Sequence, residues 1–179
     1  NALRHRSWCS ENEGDSNERL EFLGDAVLGL LVAKKVFEDY PDKPEGDLAK
    51  IRSGVVSSQA LSEVAQGIRL GDVVALGVGE ESAQGREKES ILADSFEALL
   101  GAVFLDGGIE SAKLVVERLF SEKICLTALE PGLMDYKTRL QELTVQISET
   151  APLYSVDTDG PDHEKRFYAT VKIGVHSFG

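Results

Sequence analysis

The sequence predicts a mainly α-helical protein that ends in a small α-β-β module. Three observations support this fold class. Apolar residues recur at helical spacing through residues 1–129, the composition changes at Glu130-Pro131-Gly132, and apolar and polar residues alternate over 166–174. With 179 residues, the chain has room for one ordinary domain and a smaller second one. We therefore expect domains over 1–129 and 135–179, joined by a linker over 130–134.

The first long helix follows a polar segment. Its apolar residues at helical spacing are Leu20, Leu23, Val27, Leu30 and Leu31. Asp15 followed by Glu18 predicts a capping box just before it, and Tyr40-Pro41 with Pro44 predicts its end. Further helices are predicted over about 46–56 and 59–66, around Asp94 up to Gly107-Gly108, and over Ile109–Leu129. The glycine-rich polar residues 77–90 predict a loop.

The C-terminal segment begins with one more amphipathic helix. Its apolar face is formed by Tyr136, Leu140, Leu143 and Ile147. Residues 153–158 and 166–174 predict two strands, and Gly160-Pro161-Asp162 predicts the turn between them. In the second strand, Phe167 and Val171 alternate with Tyr168 and Lys172, which is typical of a half-buried strand.

Composition narrows the functional classes. The longest apolar run, over residues 26–33, is far shorter than the roughly 20 residues that span a bilayer, so no membrane association is expected. Cys9 and Cys125 form no CxxC pair, which favours a reducing, cytoplasmic location. The net charge of −12 argues against a nucleic-acid partner. Bound divalent cations and a basic segment beyond this chain would reconcile this charge with a nucleic-acid partner.

Two pairs of acids stand in apolar surroundings. Glu21 and Asp25 are four residues apart and therefore share one helix face, and Glu18 lies on the same side. Asp94 and Glu97 are three apart on a second apolar helix. Facing carboxylates without a cation would repel each other and retain protons. All candidate ligands are oxygens, so the pattern predicts a Mg²⁺ or Mn²⁺ site and hydrolytic chemistry.

Two other interpretations of these acids stay open at this point. Acids at helical spacing often lie on a solvated surface, where they cap helices or pair with Lys and Arg. A di-iron carboxylate bundle needs Glu-x-x-His on two helices. None of the histidines, which are His5, His163 and His176, follows a Glu by three residues, so the sequence disfavours the bundle.

Several motifs resemble the signature of the ribonuclease III family. The stretch over 17–28 reads Asn-Glu-Arg-Leu-Glu-Phe-Leu-Gly-Asp-Ala-Val-Leu. The similarity continues through His5-Arg6-Ser7, residues 45–48 (Glu-Gly-Asp-Leu), and residues 89–94 (Glu-Ser-Ile-Leu-Ala-Asp) with 97–99 (Glu-Ala-Leu). The resemblance implies an all-helical nuclease domain that dimerises and cleaves double-stranded RNA with Mg²⁺ in the processing of ribosomal and messenger RNA. The products would carry a 5′-phosphate, a 3′-hydroxyl and a short 3′ overhang.

The resemblance also assigns roles to residues. It places the metal on Glu21, Asp25, Asp94 and Glu97, with Glu97 and Asp25 as the catalytic acids. Glu18 and Glu45 match supporting acids. Phe22 matches an aromatic that inserts into the partner of a homodimer, although composition alone favours a core residue.

The tail similarly resembles a double-stranded-RNA-binding domain, which recognises the shape of a duplex. Its first helix matches residues 135–142, and its first strand-to-strand loop matches 160–163. The implied RNA contacts are Thr138, Gln141 and Glu142, on the face opposite the apolar one, together with His163.

The chain departs from the family pattern in three places. Arg4 stands where the family usually has Thr, and Val145 where some relatives have Gln. The family's third strand and basic final helix are expected after Gly179. Residues 133–179 hold five Lys and Arg against seven Asp and Glu, so this tail is expected to bind duplex RNA poorly.

Two further functional classes remain. A duplex-RNA-binding protein on an inactive nuclease scaffold would be expected to lack one or more of the four metal acids, and all four are present. An acidic interaction domain without nucleic acid would suit the net charge. Binding of a duplex in Ca²⁺, and then its cleavage in Mg²⁺, would separate the three classes.

Overall fold

The computed structural model of the protein describes residues 1–132, 136–148, 151–161 and 165–178, and of Thr138 and Ser148 it describes the backbone alone. The chain forms two compact units, Asn1–Pro131 and Gly132–Gly179. Among the described helices, none combines the length and the apolar character that crossing a membrane requires.

The first unit is built entirely of helices and short turns. Its α-helices are α1 (Arg6–Cys9), α2 (Glu18–Asp39), α3 (Glu45–Val55), α4 (Ser58–Gly67), α5 (Val78–Ser82) and α6 (Glu89–Leu129). Gly108 interrupts α6 with φ 71° and ψ −172°, a conformation that favours glycine, and so divides it into two arms. The prediction of two helices that meet near Gly107-Gly108 is confirmed.

Two local predictions are wrong. The residue that caps α2 is Asn17, whose side chain makes no capping hydrogen bond, and the carboxylate of Glu18 instead accepts one from Ser16 Oγ at 2.6 Å. The predicted loop over 77–90 contains α5 and a 3₁₀ turn over Gly85–Glu87. Arg86 orders this segment, because its Nη1 donates to the carbonyl oxygens of Gly71 and Val74 at 2.7 and 2.8 Å.

The core of the first unit lies where α2 packs along α6, with α4 on a further side of α6. Phe96 on the first arm of α6 contacts Phe120 on the second arm edge-on, with ring centroids 5.4 Å apart. Both rings are fully buried, as are Leu28 and Val32 of α2. The kink at Gly108 therefore folds α6 back on itself around a shared apolar centre, and α2 covers it.

The second unit contains α7 (Tyr136–Ser148) and a three-stranded antiparallel sheet. Its strands are β1 (Leu153–Asp159), β2 (Arg166–Ile173) and β3 (His176–Phe178), in the order β1-β2-β3. The expectation that the third strand begins only after Gly179 is wrong. The chain turns at Gly174, where φ is 57°, and β3 pairs with β2 in a register that places Val171 opposite Phe178.

The predicted burial pattern of this unit is wrong in part, since Val171 is half-buried beside an exposed Lys172, as predicted, but other positions do not follow the prediction. Phe167 in β2 is exposed, and so are Tyr136, Leu143 and Ile147 of the predicted apolar face of α7. The inner side of α7 runs instead through Leu140 and Thr144, whose hydroxyl donates to the Leu140 carbonyl at 2.8 Å. Helical spacing identifies a face, but burial also requires a surface that covers it, and little of α7 is covered here.

Candidate metal centre

Two glycines allow α2 and α6 to cross at very short distance. A Cβ atom placed on Gly24 would lie 1.8 Å from the backbone oxygen of Glu97, and one on Gly101 would lie 2.3 Å from that of Leu20. Any side chain at either position would therefore force the helices apart. Because Gly24 stands between Glu21 and Asp25, this crossing brings the acidic turn of α2 against the acidic turn of α6.

The crossing gathers three carboxylates. One oxygen from each of Glu21, Asp94 and Glu97 lies within 4.8 Å of the others, and all three side chains are half-buried. Among the described residues, no Lys or Arg forms an ion pair with any of them. The structure thus brings together three of the four predicted metal acids, and no described Lys or Arg is paired with them.

The electrostatics show how costly this arrangement is. Burial raises the pKa of Glu97 to about 7, and the charges of Asp25, Asp94 and Glu21 add to that effect. Burial also raises the pKa of Asp94, and the pKa of Glu21 is raised by burial and by Asp94. At neutral pH the cluster holds more negative charge than its surroundings stabilise.

The fourth predicted ligand, Asp25, differs from the other three. Its side chain is exposed, so the expectation that all four acids lie among core residues is wrong for Asp25. It lies outside the three-carboxylate group, one turn along α2 from Glu21. Its charge nevertheless raises the pKa values of Glu97 and Glu21, so Asp25 lies within electrostatic reach of both.

The two supporting acids have different surroundings. Glu18 is exposed at the start of α2, and its charge raises the pKa of Glu21. Glu45 is exposed at the start of α3, and the structure shows no interaction between it and the cluster.

The three carboxylates fit a hard divalent cation. All the donors are oxygens, which Mg²⁺, Mn²⁺ and Ca²⁺ prefer, and the oxygens are close enough to share one ion. The raised pKa of Glu97 supplies a driving force, since a cation between the acids would remove the repulsion that favours its protonated form.

Phe22 is exposed to 81%, so the interpretation of it as a core residue is wrong. It begins an apolar stripe on the outer side of α2, defined by Phe22, Ala26, Leu30 and Phe37, and every member of this stripe is exposed. Leu30, one of the apolar residues at helical spacing, therefore belongs to the outer side.

The predicted RNA contacts are only partly described. Thr138 lies in α7 with its side chain outside the described atoms, and His163 lies outside the described residues. Gln141 is half-buried and Glu142 is exposed. The idea that all three α7 residues share a fully open face is wrong for Gln141, because α7 turns its inner side toward Leu140 and Thr144.

Sequence reasoning missed the structural role of Gly24 and Gly101. Their signal was present, because each is a glycine inside an otherwise apolar helical segment, where glycine has no propensity advantage and implies a close backbone approach. It also missed how near residues 5 and 6 lie to the cluster. The charges of Arg6 and His5 both act on the pKa of Asp94.

Comparison with known proteins agrees with this arrangement. A family model described as ribonuclease-III-like matches residues 1–124, and one described as double-stranded RNA binding motif matches residues 136–179. A helical unit that gathers carboxylates for a metal, followed by a module of this type, defines a metal-dependent endoribonuclease with a double-stranded-RNA-binding module.

Individual relatives point to one family. The chain is 50% identical to Ribonuclease 3 of Streptomyces coelicolor and 49% identical to that of Thermobifida fusca, each over 99% of this chain. It spans 65% and 75% of their respective lengths. The nuclease domain of ribonuclease III from Campylobacter jejuni, studied for flexibility in a region involved in dimer formation, matches 68% of this chain and 82% of its own, with a TM-score of 0.64 and 42% identity. The chain belongs to the ribonuclease III family.

Proposed function

We propose that this chain is a Mg²⁺-dependent endoribonuclease that cleaves double-stranded RNA. The products would carry a 5′-phosphate and a 3′-hydroxyl, with a short 3′ overhang. The observation that carries the proposal is the group of three carboxylate oxygens, from Glu21, Asp94 and Glu97, within 4.8 Å of one another. Its family relationship supplies the substrate class.

In this proposal Glu21, Asp94 and Glu97 hold the metal, and Asp25 completes the set from the next turn of α2. The bound ion would supply a nucleophilic water at neutral pH and stabilise charge on the leaving 3′ oxygen. Glu97 is the ligand most sensitive to change, since it is the most strongly destabilised as a free carboxylate. Glu18 adds negative charge beside Glu21, and Glu45 is a further supporting acid whose role the proposal takes from the family pattern.

The active form is proposed to be a homodimer in which Phe22 enters the partner. An 81%-exposed phenylalanine at one end of the apolar stripe of α2 is a surface that water solvates poorly. A second copy of this chain is the favoured occupant because a structurally similar nuclease domain has a region involved in dimer formation. Two acidic clusters in one dimer would account for cleavage of both strands.

The tail is proposed to assist binding through Thr138, Gln141, Glu142 and His163, although its acidic balance limits its contribution. Processing of ribosomal and messenger RNA precursors in the cytoplasm is the proposed setting. Mn²⁺ is a proposed substitute for Mg²⁺, because both ions accept an all-oxygen ligand set.

The test is cleavage of a long RNA duplex by the chain in Mg²⁺, in Ca²⁺ and in EDTA, with analysis of the product ends. We expect cleavage in Mg²⁺ only. Glu97→Gln should lower the rate by at least about 100-fold, because it removes one charged ligand at unchanged shape. Glu110→Gln, the same change at an exposed position of α6, is the matched control and should cleave normally.

Other outcomes would assign the chain to another class. Binding of the duplex in Ca²⁺ without cleavage in Mg²⁺ would indicate a binding protein on an inactive scaffold. Failure to bind the duplex at all would favour an acidic interaction domain. Cleavage by Glu97→Gln at the rate of the parent would show that the metal assignment is wrong.

A further inference from the structure

Arg6 is an exposed cation next to the acidic cluster. It is the first residue of α1, and its side chain is exposed. The N–H of Glu21 donates to the carbonyl oxygen of Asn17 at 2.9 Å, and the N–H of Asn17 donates to the carbonyl oxygen of Arg4, so the segment that carries Arg6 lies beside the acidic turn of α2. In agreement with this placement, the charge of Arg6 lowers the pKa values of Glu21 and Asp94. In a chain whose net charge is −12, a cation in this position is notable.

The backbone on the N-terminal side of Arg6 is fixed. The His5 N–H donates to the carbonyl oxygen of Ala75 at 3.1 Å. One residue earlier, the carbonyl oxygen of Arg4 accepts from the N–H of Asn17 at 2.8 Å, and Asn17 is the residue that caps α2. The segment that carries Arg6 is thus tied directly to the start of the helix that carries Glu21.

The backbone on the C-terminal side of Arg6 is fixed as well. Ser7 Oγ lies 2.8 Å from His5 Nδ1 and accepts from the N–H of Gly77 at 3.0 Å. Both carboxylate oxygens of Glu11 accept from the N–H of Val78, each at 3.0 Å. Arg6 therefore projects from an ordered segment, so binding a ligand through its side chain requires no further ordering of the backbone.

The charge of Arg6 acts on Glu21, Asp94 and Glu80, but its guanidinium forms no close pair with a described residue. Arg4, by contrast, lies 5.1 Å from the centre of the Trp8 ring and donates to Asn1 Oδ1, and Arg86 pairs with Glu81. Arg6 forms no hydrogen bond through its side chain and no ion pair with any described residue. Carboxylates lie nearby, but none of them is paired with Arg6, so the N–H donors of its guanidinium are available to an incoming anion.

We propose that Arg6 binds a backbone phosphate of duplex RNA beside the scissile one and so positions the strand over the acidic cluster. This inference rests on the proposed function. A guanidinium presents a planar fork of N–H donors that matches the oxygens of a phosphodiester. Phosphates that approach Glu21, Asp94 and Glu97 are repelled unless cations oppose the charge of these acids, and Arg6 is a cation carried on a fixed backbone segment beside them.

The first test measures duplex affinity in Ca²⁺ for the parent chain, Arg6→Gln, Arg6→Lys and the control Arg118→Gln. Arg118 is an exposed arginine on the second arm of α6. We expect Arg6→Gln to raise the dissociation constant of the duplex about 10-fold, as for loss of one charge-assisted contact. The slope of the logarithm of the binding constant against the logarithm of salt concentration should become shallower by about one, as for the loss of one phosphate contact per site. Arg6→Lys should recover part of the affinity, and Arg118→Gln should match the parent.

The second test identifies the phosphate. Duplexes with a single neutral methylphosphonate are scanned through the positions that flank the cleavage site. At one position the parent should lose about 10-fold in affinity, whereas Arg6→Gln should lose nothing further, because the partner of that phosphate is already absent. An equal loss in both proteins at every position would overturn the proposal.

A third measurement separates this role from tuning of the acids. If Arg6 acted only by adjusting the charge of Glu21 and Asp94, Arg6→Gln would change the affinity for Mg²⁺ measured by calorimetry without RNA and leave duplex binding intact. That result would also overturn the proposal. A parent chain that neither binds nor cleaves duplex RNA would contradict the proposed function itself, whereas a functional parent with an indifferent Arg6→Gln contradicts only this inference.

Discussion

Glu97 shows how a single residue connects burial, metal affinity and stability. Its pKa is raised to about 7, first by burial and then by three neighbouring carboxylates. A carboxyl group whose pKa is higher in the folded than in the unfolded chain binds an extra proton in the folded state. Without metal, the chain therefore loses stability as pH rises from the ordinary value of 4.5 to about 7.

This reasoning gives a prediction for Glu97→Gln in EDTA. At pH 8 the variant should be more stable than the parent by about 1 kcal/mol, a value reduced for solvent screening of a half-exposed group. Below pH 4.5 the two should have similar stability, because Glu97 is then protonated in both states. Urea unfolding followed by circular dichroism across pH 4–8 measures the difference.

The same unfolding measurements, repeated with Mg²⁺ and with the variant Glu110→Gln, provide the controls. Mg²⁺ should stabilise the parent at pH 8 and stabilise Glu97→Gln much less, since binding to the folded state adds stability that grows with the logarithm of the affinity. Glu110→Gln should follow the parent under every condition. A Glu97→Gln variant that is less stable than the parent at pH 8 in EDTA would show that the carboxylate makes favourable contacts.

At the scale of elements, the site depends on how closely α2 and α6 approach. The backbone oxygen of Glu97 lies where a side chain on Gly24 would begin, and the backbone oxygen of Leu20 does the same for Gly101. The two contacts are reciprocal, with a glycine of each helix receiving the backbone of the other. The distances among the carboxylates are therefore set by backbone contact rather than by flexible side chains.

Gly24→Ala tests this directly. The added Cβ, 1.8 Å from a backbone oxygen, must separate the helices, and we expect a loss of about 3 kcal/mol in the free energy of unfolding, as for severe overpacking. Cleavage should fall more than stability accounts for, since the carboxylates move apart. Gly29→Ala is the matched control on the same helix.

No atom lies within 4 Å of the Cβ position of Gly29. Replacing this helical glycine by alanine should therefore stabilise the chain by roughly 0.5–1 kcal/mol through helix propensity alone. Thermal unfolding and cleavage rates of Gly24→Ala and Gly29→Ala test whether the close crossing is required. Equal behaviour of Gly24→Ala and Gly29→Ala would mean that the close crossing is not needed.

The elements also show what the sequence could and could not predict. Helical periodicity located α2, α3, α4 and both arms of α6 to within a residue or two, because each buries an apolar side against the same core. The 77–90 segment carries no such periodicity, and its order comes from Arg86 bonding to backbone carbonyls far from it in sequence. Local patterns cannot reveal contacts of this kind.

Burial was the least predictable property. Spacing alone grouped Leu30 with Val27 and Leu31, yet those two are buried and Leu30 is on the exposed stripe of α2. The acids show the same limit, because spacing paired Asp25 with Glu21 but could not indicate that only Glu21 turns into the crossing with Asp94 and Glu97. The orientation of a helix about its axis is decided by its neighbours, which are distant in sequence.

For the whole molecule, net charge is a poor guide to partners. The value of −12 alone argued against nucleic acid, but several of the acids are concentrated at one site with a half-buried cluster. Charge placed there attracts divalent cations, which then attract phosphates. The distribution of charge therefore indicates function here, whereas the total does not.

The proposed homodimer makes a prediction for the whole molecule. Phe22→Asp places a charge at the exposed apolar stripe of α2, where burial in a partner would desolvate it, and loss of a central aromatic contact typically costs 2 kcal/mol or more. We expect the dimer dissociation constant to rise at least about 30-fold. Sedimentation equilibrium measures this change.

Val73→Asp is the matched control, since Val73 is also an exposed apolar residue, 58% accessible, but lies outside the stripe. It should leave both association and cleavage unchanged. Phe22→Asp should keep the helical fold, because the side chain packs against little in the single chain, yet lose cleavage of both strands together with dimerisation. If the variant sediments as the parent does, another surface joins the two copies and the stripe on α2 has a different role.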